Sequence, residues 1–503
     1  PYIGKFGSGF LVTHILSLVI DIKGILRDDE GRLWKFNITL DRNAKDENEL
    51  RGKIEECYEQ LNKSELLNND DESTEFKAIF RYHISDDAHE WLGEIIDYLK
   101  IEIPLVMTLI KDNILREFSI FIYIDQPRKI LFKWLGSRQM NENSLSGYTY
   151  EEHEILYQEN NKKEVICVIS AGTDNVRCLL PYRNDRIIEC SSIPKIFSPY
   201  PLIGKTEKLG IPIVIGGSFE PTEERNTIIL GESQLGKKNV ELLDKALRIL
   251  PDIIEYVISV KRFKNAHRLA LIKPFYSITG NNTADELIRN LLKRCIEELL
   301  HKKLVQINDD EFVEPLHKKL YFLVPLIRLS IIKNKEENNK FEIKNIDPEN
   351  YDFGPELYEI FWELDSELYD ELRPHKRIAW DWQRIVRYWL KFDIDNSTNK
   401  LKLWSLKDLC IDITEREEIR KEVTKQTIIK LIRILDNVEE SSRIYAKEII
   451  RNCSILINQY GKICKGANLF IDDNIPDALK AVSYTHLRAH ETEADLVCRL
   501  LLE

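Results

Sequence analysis

The sequence predicts a fold of the α/β class, more closely α+β, whose later part is mostly helical. Two patterns support this prediction. Short runs of β-branched and aromatic residues, separated by Gly, Pro and Asn, recur through residues 1–235 and alternate with helical runs. From about residue 236 the apolar residues keep helical spacing instead. We therefore divide the chain into segments 1–112, 113–235 and 236–481, followed by a tail at 482–503.

Segment 1–112 begins with a glycine-rich loop at residues 4–10 that runs into apolar residues, which predicts a loop that opens a helix. Two apolar runs flank Asp28-Asp29-Glu30-Gly31 and indicate a β-hairpin. Apolar spacing from Leu50 to Leu61 predicts a helix. The remaining predicted elements are a strand at 75–83, a helix at 86–100 and an apolar stretch at 104–110 packed behind it.

Segment 113–235 is predicted to be a second unit, mixed α/β or mostly β. Its predicted strands cover residues 117–124, 129–134, 165–170, 176–180, 187–190, 211–215 and 227–230. In segment 236–481, we expect Pro251 to kink a long helix or to start a new one. The pairs Thr283/Glu286 and Thr414/Glu417 have capping-box spacing and predict two helix starts.

The glycine-rich loop consists of Gly4-Lys5-Phe6-Gly7-Ser8-Gly9-Phe10. Glycine tolerates conformations that turn successive N–H groups toward one point, and a helix N-terminus adds its positive dipole end, so such a loop suits a phosphate. No Gly-Lys-Ser/Thr follows it, so it is not a P-loop of the usual kind. The alternative is a structural turn whose glycines allow close packing.

The pattern Gly-x-Phe-Gly-x-Gly-Phe resembles the second glycine box of the GHKL nucleotide-binding superfamily. The two phenylalanines resemble the branch that contains the large heat-shock chaperones and sacsin-type proteins. The resemblance implies that segment 1–112 is the C-terminal part of an ATPase α/β sandwich, with ATP and Mg²⁺ as cofactors. Backbone N–H groups of residues 4–10 would then bind the β- and γ-phosphates, and Mg²⁺ would bridge those oxygens and an Asn of the family. For Lys5 two interpretations stay open, a phosphate contact or none.

Residues 194–226 are similar to the segment that follows the ATPase domain in bacterial sacsin-type proteins. This second resemblance implies a transducer-like domain at 113–235. In GHKL ATPases a basic residue of that domain commonly contacts the γ-phosphate, and Arg225 is the candidate for this catalytic role. Lys205 is a weaker candidate. The alternative for Arg225 is a surface ion pair with a neighbouring glutamate, which contributes little energy.

Thr74 is the candidate for a contact near the adenine. The family has a Gly-Thr or Ser-Thr pair where a strand begins after the lid, and Ser73-Thr74 stands in that place. The alternative is a hydroxyl at the start of a strand that faces solvent. We assign no residue of this sequence as a metal ligand.

The sequences at the two ends of the chain lead to two separate predictions. In GHKL proteins the glycine box follows a helix with a catalytic Glu and an Asn, and then an Asp-x-Gly loop that binds adenine. The chain begins at Pro1, three residues before the box, so we expect only the phosphate-side half of the ATP site. Residues 482–503 resemble translated adapter sequence from short-read library preparation; the alternative is a natural amphipathic helix. We therefore expect a metagenomic fragment.

Composition narrows the choice of partners. The chain has 72 basic and 84 acidic residues, a net charge of −12, which makes nucleic acid an unfavourable partner. None of the nine cysteines forms a Cys-x-x-Cys pair, so neither a zinc site nor a disulfide framework is indicated. No apolar run reaches the ~20 residues that a membrane span needs. We expect a cytoplasmic protein that binds ATP and protein clients or partner domains.

These observations predict an ATP-binding, chaperone-like conformational switch. We expect the intact parent to hydrolyse ATP and the chain itself to be inactive. One alternative is a non-hydrolysing scaffold with a degenerate GHKL domain. The other is a nucleic-acid-linked GHKL ATPase of the MutL or topoisomerase kind. The basic and aromatic stretch at 373–391 could support the second alternative, but Trp382, Ile385 and Trp389 keep the spacing of a buried helix face.

Overall fold

The computed structural model describes most of the chain between residues 17 and 468. The described residues are 17–67, 78–84, 86–110, 115–123, 127–140, 148–275, 277–324, 360, 372–392, 394, 401–436, 440–458 and 462–468. Together they form α-helices and β-strands in five sheets, which confirms the α/β class.

A four-stranded antiparallel sheet comes first, with the strand order β3-β2-β1-β4. Its strands and the helix α1 are β1 (Val19–Arg27), β2 (Leu33–Asp41), α1 (Glu47–Asn62), β3 (Glu65–Leu66) and β4 (Ile79–Tyr82). The predicted hairpin is confirmed. Asp28 accepts hydrogen bonds from the backbone N–H groups of Glu30 and Arg32, and Gly31 supplies the left-handed residue of the turn with φ +83°.

Helix α1 lies against β2 and confirms the predicted helix. The Asp46 side chain caps it by accepting from the Glu49 N–H. Toward its other end, the Gln60 side-chain oxygen accepts from the Thr39 N–H at 2.6 Å. The predicted strand at 75–83 is confirmed at 79–82, whereas residues 75–77 lie outside the described ranges.

Helix α2 (Asp86–Leu109) differs from the prediction, because one helix replaces the expected helix and separate apolar stretch. It continues through Pro104, which costs a backbone hydrogen bond within a helix. Packing explains why the helix persists. Ile103, Leu105 and Met107, on both sides of the proline, are at most 6% exposed and belong to one core.

A nine-stranded sheet forms the centre of the structure. Eight strands follow the order β12-β11-β13-β9-β8-β7-β6-β5, β10 pairs with β9, and only the β11–β13 pair among these is parallel. The strands are β5 (Glu117–Ile122), β6 (Arg128–Gln139), β7 (Thr149–Glu159), β8 (Lys162–Gly172), β9 (Val176–Arg183), β10 (Arg186–Ile187), β11 (Ile196–Ser198), β12 (Tyr200–Pro201) and β13 (Val214–Gly217).

Helices cover both faces of this sheet and give three layers. On one face, which we call the α2 face, Phe132, Ile155 and Val168 share a core with α2. On the other, the α3 face, Cys178 and Tyr182 share a core with α3 (Gln234–Ser259) and α4 (Asn282–Leu299). The alternation of side chains along each strand separates the two cores.

The strand predictions for this sheet were incomplete. β7, β11 and β12 were not predicted, although β7 is one of the longest strands. The strand expected at 211–215 begins only at Val214, because Pro212 cannot donate to a strand partner. The strand expected at 227–230 is reduced to a single bridge between Ile228 and Pro221.

One of the two expectations for Pro251 is excluded, and the start of α4 differs from the prediction. Pro251 starts no new helix, because α3 is continuous around it and the proline is itself buried. The N-cap of α4 is Asn281, not Thr283, since the Asn281 side chain accepts from the N–H groups of Thr283 and Ala284. The predicted capping box there is wrong.

The later part of the chain is mostly helical, as predicted, with three small two-stranded sheets among its described residues. Its elements after α4 are β14 (Val305–Gln306), β15 (Phe312–Val313), β16 (Tyr321–Val324), α5 (Ala379–Trp389), β17 (Lys402–Ser405), α6 (Leu406–Glu415), α7 (Glu417–Glu422), α8 (Lys425–Asp436), α9 (Glu440–Asn452), β18 (Ser454–Ile457) and β19 (Ile463–Lys465).

Two further predictions in this part have clear outcomes. Trp382 and Trp389 of α5 are fully buried, which confirms the buried helix face. The capping box at Thr414 is wrong, because Thr414 lies in the last turn of α6 and donates to the Cys410 carbonyl. Within the described ranges, no helix is both long enough and apolar enough to cross a membrane.

Candidate functional site

The predicted nucleotide contacts fall into two groups. Gly4, Lys5, Phe6, Gly7, Ser8, Gly9, Phe10 and Thr74 lie outside the described residues, as does the segment 482–503. Arg225 and Lys205 are described, and both belong to loops at the β11–β12–β13 side of the nine-stranded sheet. The described part of the candidate site therefore consists of these two loops and the residues that contact them.

Arg225 lies in a tight turn that we call the Arg225 turn, residues 220–229. Backbone hydrogen bonds close it from the Ile229 N–H to the Glu220 carbonyl and from the Thr222 N–H to the Thr227 carbonyl, at 3.0 and 2.9 Å. A third bond of 2.9 Å runs from the Arg225 N–H to the Thr222 carbonyl. Arg225 itself has φ +55°. A non-glycine residue in this left-handed region is strained, and such residues cluster at functional sites.

Asn239 of α3 anchors both ends of the Arg225 turn. Its side-chain N–H₂ donates to the carbonyls of Glu220 and Ile229, and its side-chain oxygen accepts from the Glu220 N–H, each at 2.8 Å. Asn239 is fully buried. The turn is thus attached to the long helix by three hydrogen bonds that solvent does not reach. Sequence reasoning missed Asn239, although a polar residue at helical spacing from Leu242 and Leu243 was a usable signal.

The Arg225 side chain reaches toward strand β11. One of its terminal nitrogens donates to the Ser198 carbonyl at 3.3 Å. A guanidinium carries five N–H donors in a planar fork. The contact with Ser198 engages one of them and orients the group at the sheet edge, where the half-buried side chain can donate to a ligand.

The loop that carries Lys205 adjoins the Arg225 turn. Gly204 has φ +110°, and a Cβ atom placed on it would lie 3.7 Å from the Cβ of Asn226. The Gly204 N–H donates to a Glu207 side-chain oxygen at 2.7 Å, which closes the start of the short 3₁₀ helix Thr206–Lys208. The structure therefore brings the two predicted basic loops together, although they are about twenty residues apart in sequence.

A buried lysine that the sequence analysis missed lies beneath the Lys205 loop. Lys195 is 2% exposed, its N–H donates to the Thr206 hydroxyl at 3.3 Å, and its ammonium donates to the Cys190 carbonyl. Burial lowers the pKa of Lys195 to about 8, against the opposing influence of Cys190 and Glu207. Its position one residue before β11 gave no signal in the sequence.

Helix α2 adds acidic groups on the opposite side of this loop. Burial, and then the charge of Glu207, raise the pKa of Glu102 to about 7. The Tyr98 hydroxyl donates to Glu94 at 2.8 Å, and this bond raises the pKa of Tyr98. The Lys205 loop, which contains Glu207, therefore lies close to the carboxyl group of Glu102 and to the buried Lys195.

The geometry defines a half-buried arginine in a hydrogen-bonded turn, with a second basic loop beside it. Such an arrangement suits an anion, and the planar donors of arginine match phosphate oxygens. In the described part of the chain, no group of three or more His, Cys, Asp or Glu residues could hold a metal ion. No known protein-family model matches the chain, and no curated protein gives a significant match.

Proposed function

We propose that this chain is part of a GHKL-type ATP-binding protein that acts as a conformational switch on protein partners in the cytoplasm. The observation that carries the proposal is the glycine box at residues 4–10, followed in the expected order by the 194–226 segment with its arginine. The intact parent would be a slow ATP hydrolase. The chain itself would bind the phosphate side of the nucleotide.

The described elements support this order. The hairpin β1–β2, helix α1 and strand β4 follow the glycine box in the order expected for the second half of the nucleotide-binding domain. Strand β4 lies directly beside β1, with Ile20 opposite Tyr82. Thr74 lies outside the described residues and precedes β4 in the sequence, so the proposed contact with the adenine pocket rests on the Ser73-Thr74 pair alone.

Arg225 would bind the γ-phosphate and transmit its presence to the next domain. The Asn239 anchor supports this role, because a displacement of the Arg225 turn would be passed to α3 through three buried hydrogen bonds. The N–H groups of residues 4–10 would hold the β- and γ-phosphates on the other side. Mg²⁺, when bound, would neutralise charge on the phosphate oxygens.

Nucleotide binding to the purified chain tests the proposal. We expect the chain to bind ATP in the presence of Mg²⁺, and Gly7→Ala or Gly9→Ala to weaken that binding by about tenfold because a Cβ atom obstructs the phosphate cradle. Equilibrium dialysis with labelled ATP measures the dissociation constants. Gly52→Ala in α1 and Gly93→Ala in α2 are matched controls, since a Cβ atom there meets nothing within 4 Å. Failure of the chain to bind ATP, or equal losses in the controls, would contradict the proposal.

A further inference from the structure

One part of the nine-stranded sheet has an uncovered apolar surface on the α3 face. Strands β5, β6, β7 and β8 contribute six large apolar residues to it, and we call this set the open face. Phe121, Tyr123, Leu135 and Val165 are 54%, 75%, 49% and 41% exposed. Leu131 and Leu156 are half-buried. The full set is Phe121, Tyr123, Leu131, Leu135, Leu156 and Val165.

The strand register places these residues together. Directly paired residues of antiparallel strands point to the same side of a sheet. Leu156 of β7 is paired with Lys133 of β6 and with Val165 of β8, so these three residues form one row. Lys129 is paired with Phe121 in a row near the sheet edge. Leu135 is the extra residue of a β-bulge in β6.

The helical layer on this face ends just before the open face begins. Glu152 of β7 is fully buried, and it accepts hydrogen bonds from Arg262, which follows α3, and from Arg138. Two positions further along the same side of β7, Leu156 is only half-buried, and its partner Val165 is 41% exposed. Apolar sheet faces are normally covered by a helix or by another sheet. The open face is therefore the place where one more helix would continue the layer of α3 and α4.

The charges at one edge of the open face favour a particular kind of helix. Lys129 and Lys163 are exposed, and in the described structure neither ammonium has a carboxylate within 4 Å. The Lys129 ammonium lies 5.1 Å from the centre of the Phe121 ring. By contrast, the adjacent Lys162 pairs with Glu164 at 2.7 Å. The acidic residues of this side of strands β5 and β7 are Glu117, Glu152 and Glu154, and they lie further along the strands.

We propose that the open face is a docking surface for an amphipathic α-helix of a partner protein that carries acidic residues along one flank. The apolar side of the helix covers the six apolar residues, and its acidic flank lies beside Lys129 and Lys163. Helices presented in this way are a common mode of protein recognition. None of the residues assigned to nucleotide binding belongs to this surface, so the proposal stands whether or not the chain binds ATP.

A pair of synthetic peptides tests the proposal on the full chain. Both are amphipathic helices of about 18 residues with the same leucine face, and one has Glu and the other Lys on the flank. We expect the Glu peptide to bind about tenfold more tightly in fluorescence anisotropy at low salt, and Lys129→Glu with Lys163→Glu to abolish that preference. Phe121→Ser with Val165→Thr should weaken both peptides.

The same anisotropy measurement includes a control variant with two other lysines reversed. Lys237→Glu with Lys245→Glu reverses two exposed charges on α3 and should leave both affinities unchanged. Equal binding of the two peptides, or wild-type binding by the Lys129/Lys163 variant, would overturn the proposal. So would sedimentation showing a dimer that Phe121→Ser dissociates, because a second copy would then cover the open face. The lysine variant changes only exposed residues, so it tests the proposal even if the apolar variant folds poorly.

Discussion

Asn239 holds the turn that carries Arg225 through three hydrogen bonds. A buried amide that satisfies three backbone groups holds its loop in one conformation, because each unpaired group would cost about 1–3 kcal/mol in a buried setting. Arg225 gains from this a fixed position despite its left-handed backbone. The conformation of the Arg225 turn and the position of Arg225 do not depend on the ion pairs of the neighbouring glutamates. The pairing of Arg225 with a phosphate is the remaining hypothesis at this scale.

Arg225→Ala tests that hypothesis in an ATP-hydrolysing protein that contains this chain. We expect kcat to fall by about a hundredfold with little change in ATP affinity, because the guanidinium would stabilise charge that develops on the transferring phosphoryl group. Steady-state turnover and equilibrium ATP binding measure the two effects separately. Arg186→Ala, which replaces an exposed arginine of β10, is the control. Unchanged turnover in Arg225→Ala would assign the residue to a structural role.

At the scale of elements, local chemistry predicted some parts well. The hairpin β1–β2 depends on Asp28 and Gly31, whose turn chemistry is visible within a few residues, and its position was right. The buried face of α5 follows from the spacing of Trp382 and Trp389. These predictions succeeded because the physical cause lies within the element itself.

Other elements depend on distant contacts and were missed or misplaced. Strand β7 lacks the alternation typical of a strand, because the four polar residues 151–154 precede the three apolar residues 155–157. Its buried Glu152 is stabilised by Arg262, which is 110 positions away in sequence. Helix α2 passes Pro104 because its flanking residues pack against the nine-stranded sheet. The hydrogen bonds of Asn239 likewise depend on the fold, because they join α3 to a turn that lies outside the helix. Sequence spacing alone cannot show which partner covers a residue.

The start of α4 provides a direct test of cap assignment. Asn281→Ala should lower the free energy of unfolding by about 1 kcal/mol, because the Asn281 oxygen accepts from two N–H groups at the helix start. Thr283→Ala removes the residue that the capping box favoured and should have a much smaller effect. Denaturant unfolding followed by circular dichroism compares the two variants. A larger loss of unfolding free energy for Thr283→Ala than for Asn281→Ala would identify Thr283 as the N-cap.

At the scale of the whole molecule, a polar contact joins the central sheet unit to the later helices. The Nε2 atom of His267, which follows α3, lies 2.6 Å from the Oδ2 atom of Asp381 in α5. The Arg268 side chain donates to the same oxygen at 3.2 Å. Close by, the Trp389 indole N–H donates to the Ala270 carbonyl at 2.9 Å. The segment 266–270 therefore connects α5 to the core that α3 and α4 share. Trp382 and Trp389 of α5 belong to that same core.

Asp381→Asn should weaken this connection in a pH-dependent way. Burial alone would raise the pKa of Asp381, but the hydrogen bonds and charges of His267 and Arg268 lower it below its ordinary 3.8. A carboxyl whose pKa is lowered in the folded state stabilises the protein above its unfolded pKa, and this contribution is lost as the pH falls through the folded value. We expect Asp381→Asn to lower the unfolding free energy by about 1–3 kcal/mol at pH 7. The difference from wild type should shrink toward zero as the pH falls below 3.8.

Denaturant unfolding of both proteins at a series of pH values measures this difference. Asp310→Asn is the control, because Asp310 forms an exposed ion pair with Lys261 that solvent screens. A wild-type minus Asp381→Asn difference that stayed constant from neutral to acid pH would show that the carboxylate charge does not hold α5 in place. The apolar contacts of Trp382 and Trp389 would then account for the attachment of α5. The expected pH-dependent difference would instead make the His267–Asp381–Arg268 contact a stabilising link between the two parts of the molecule.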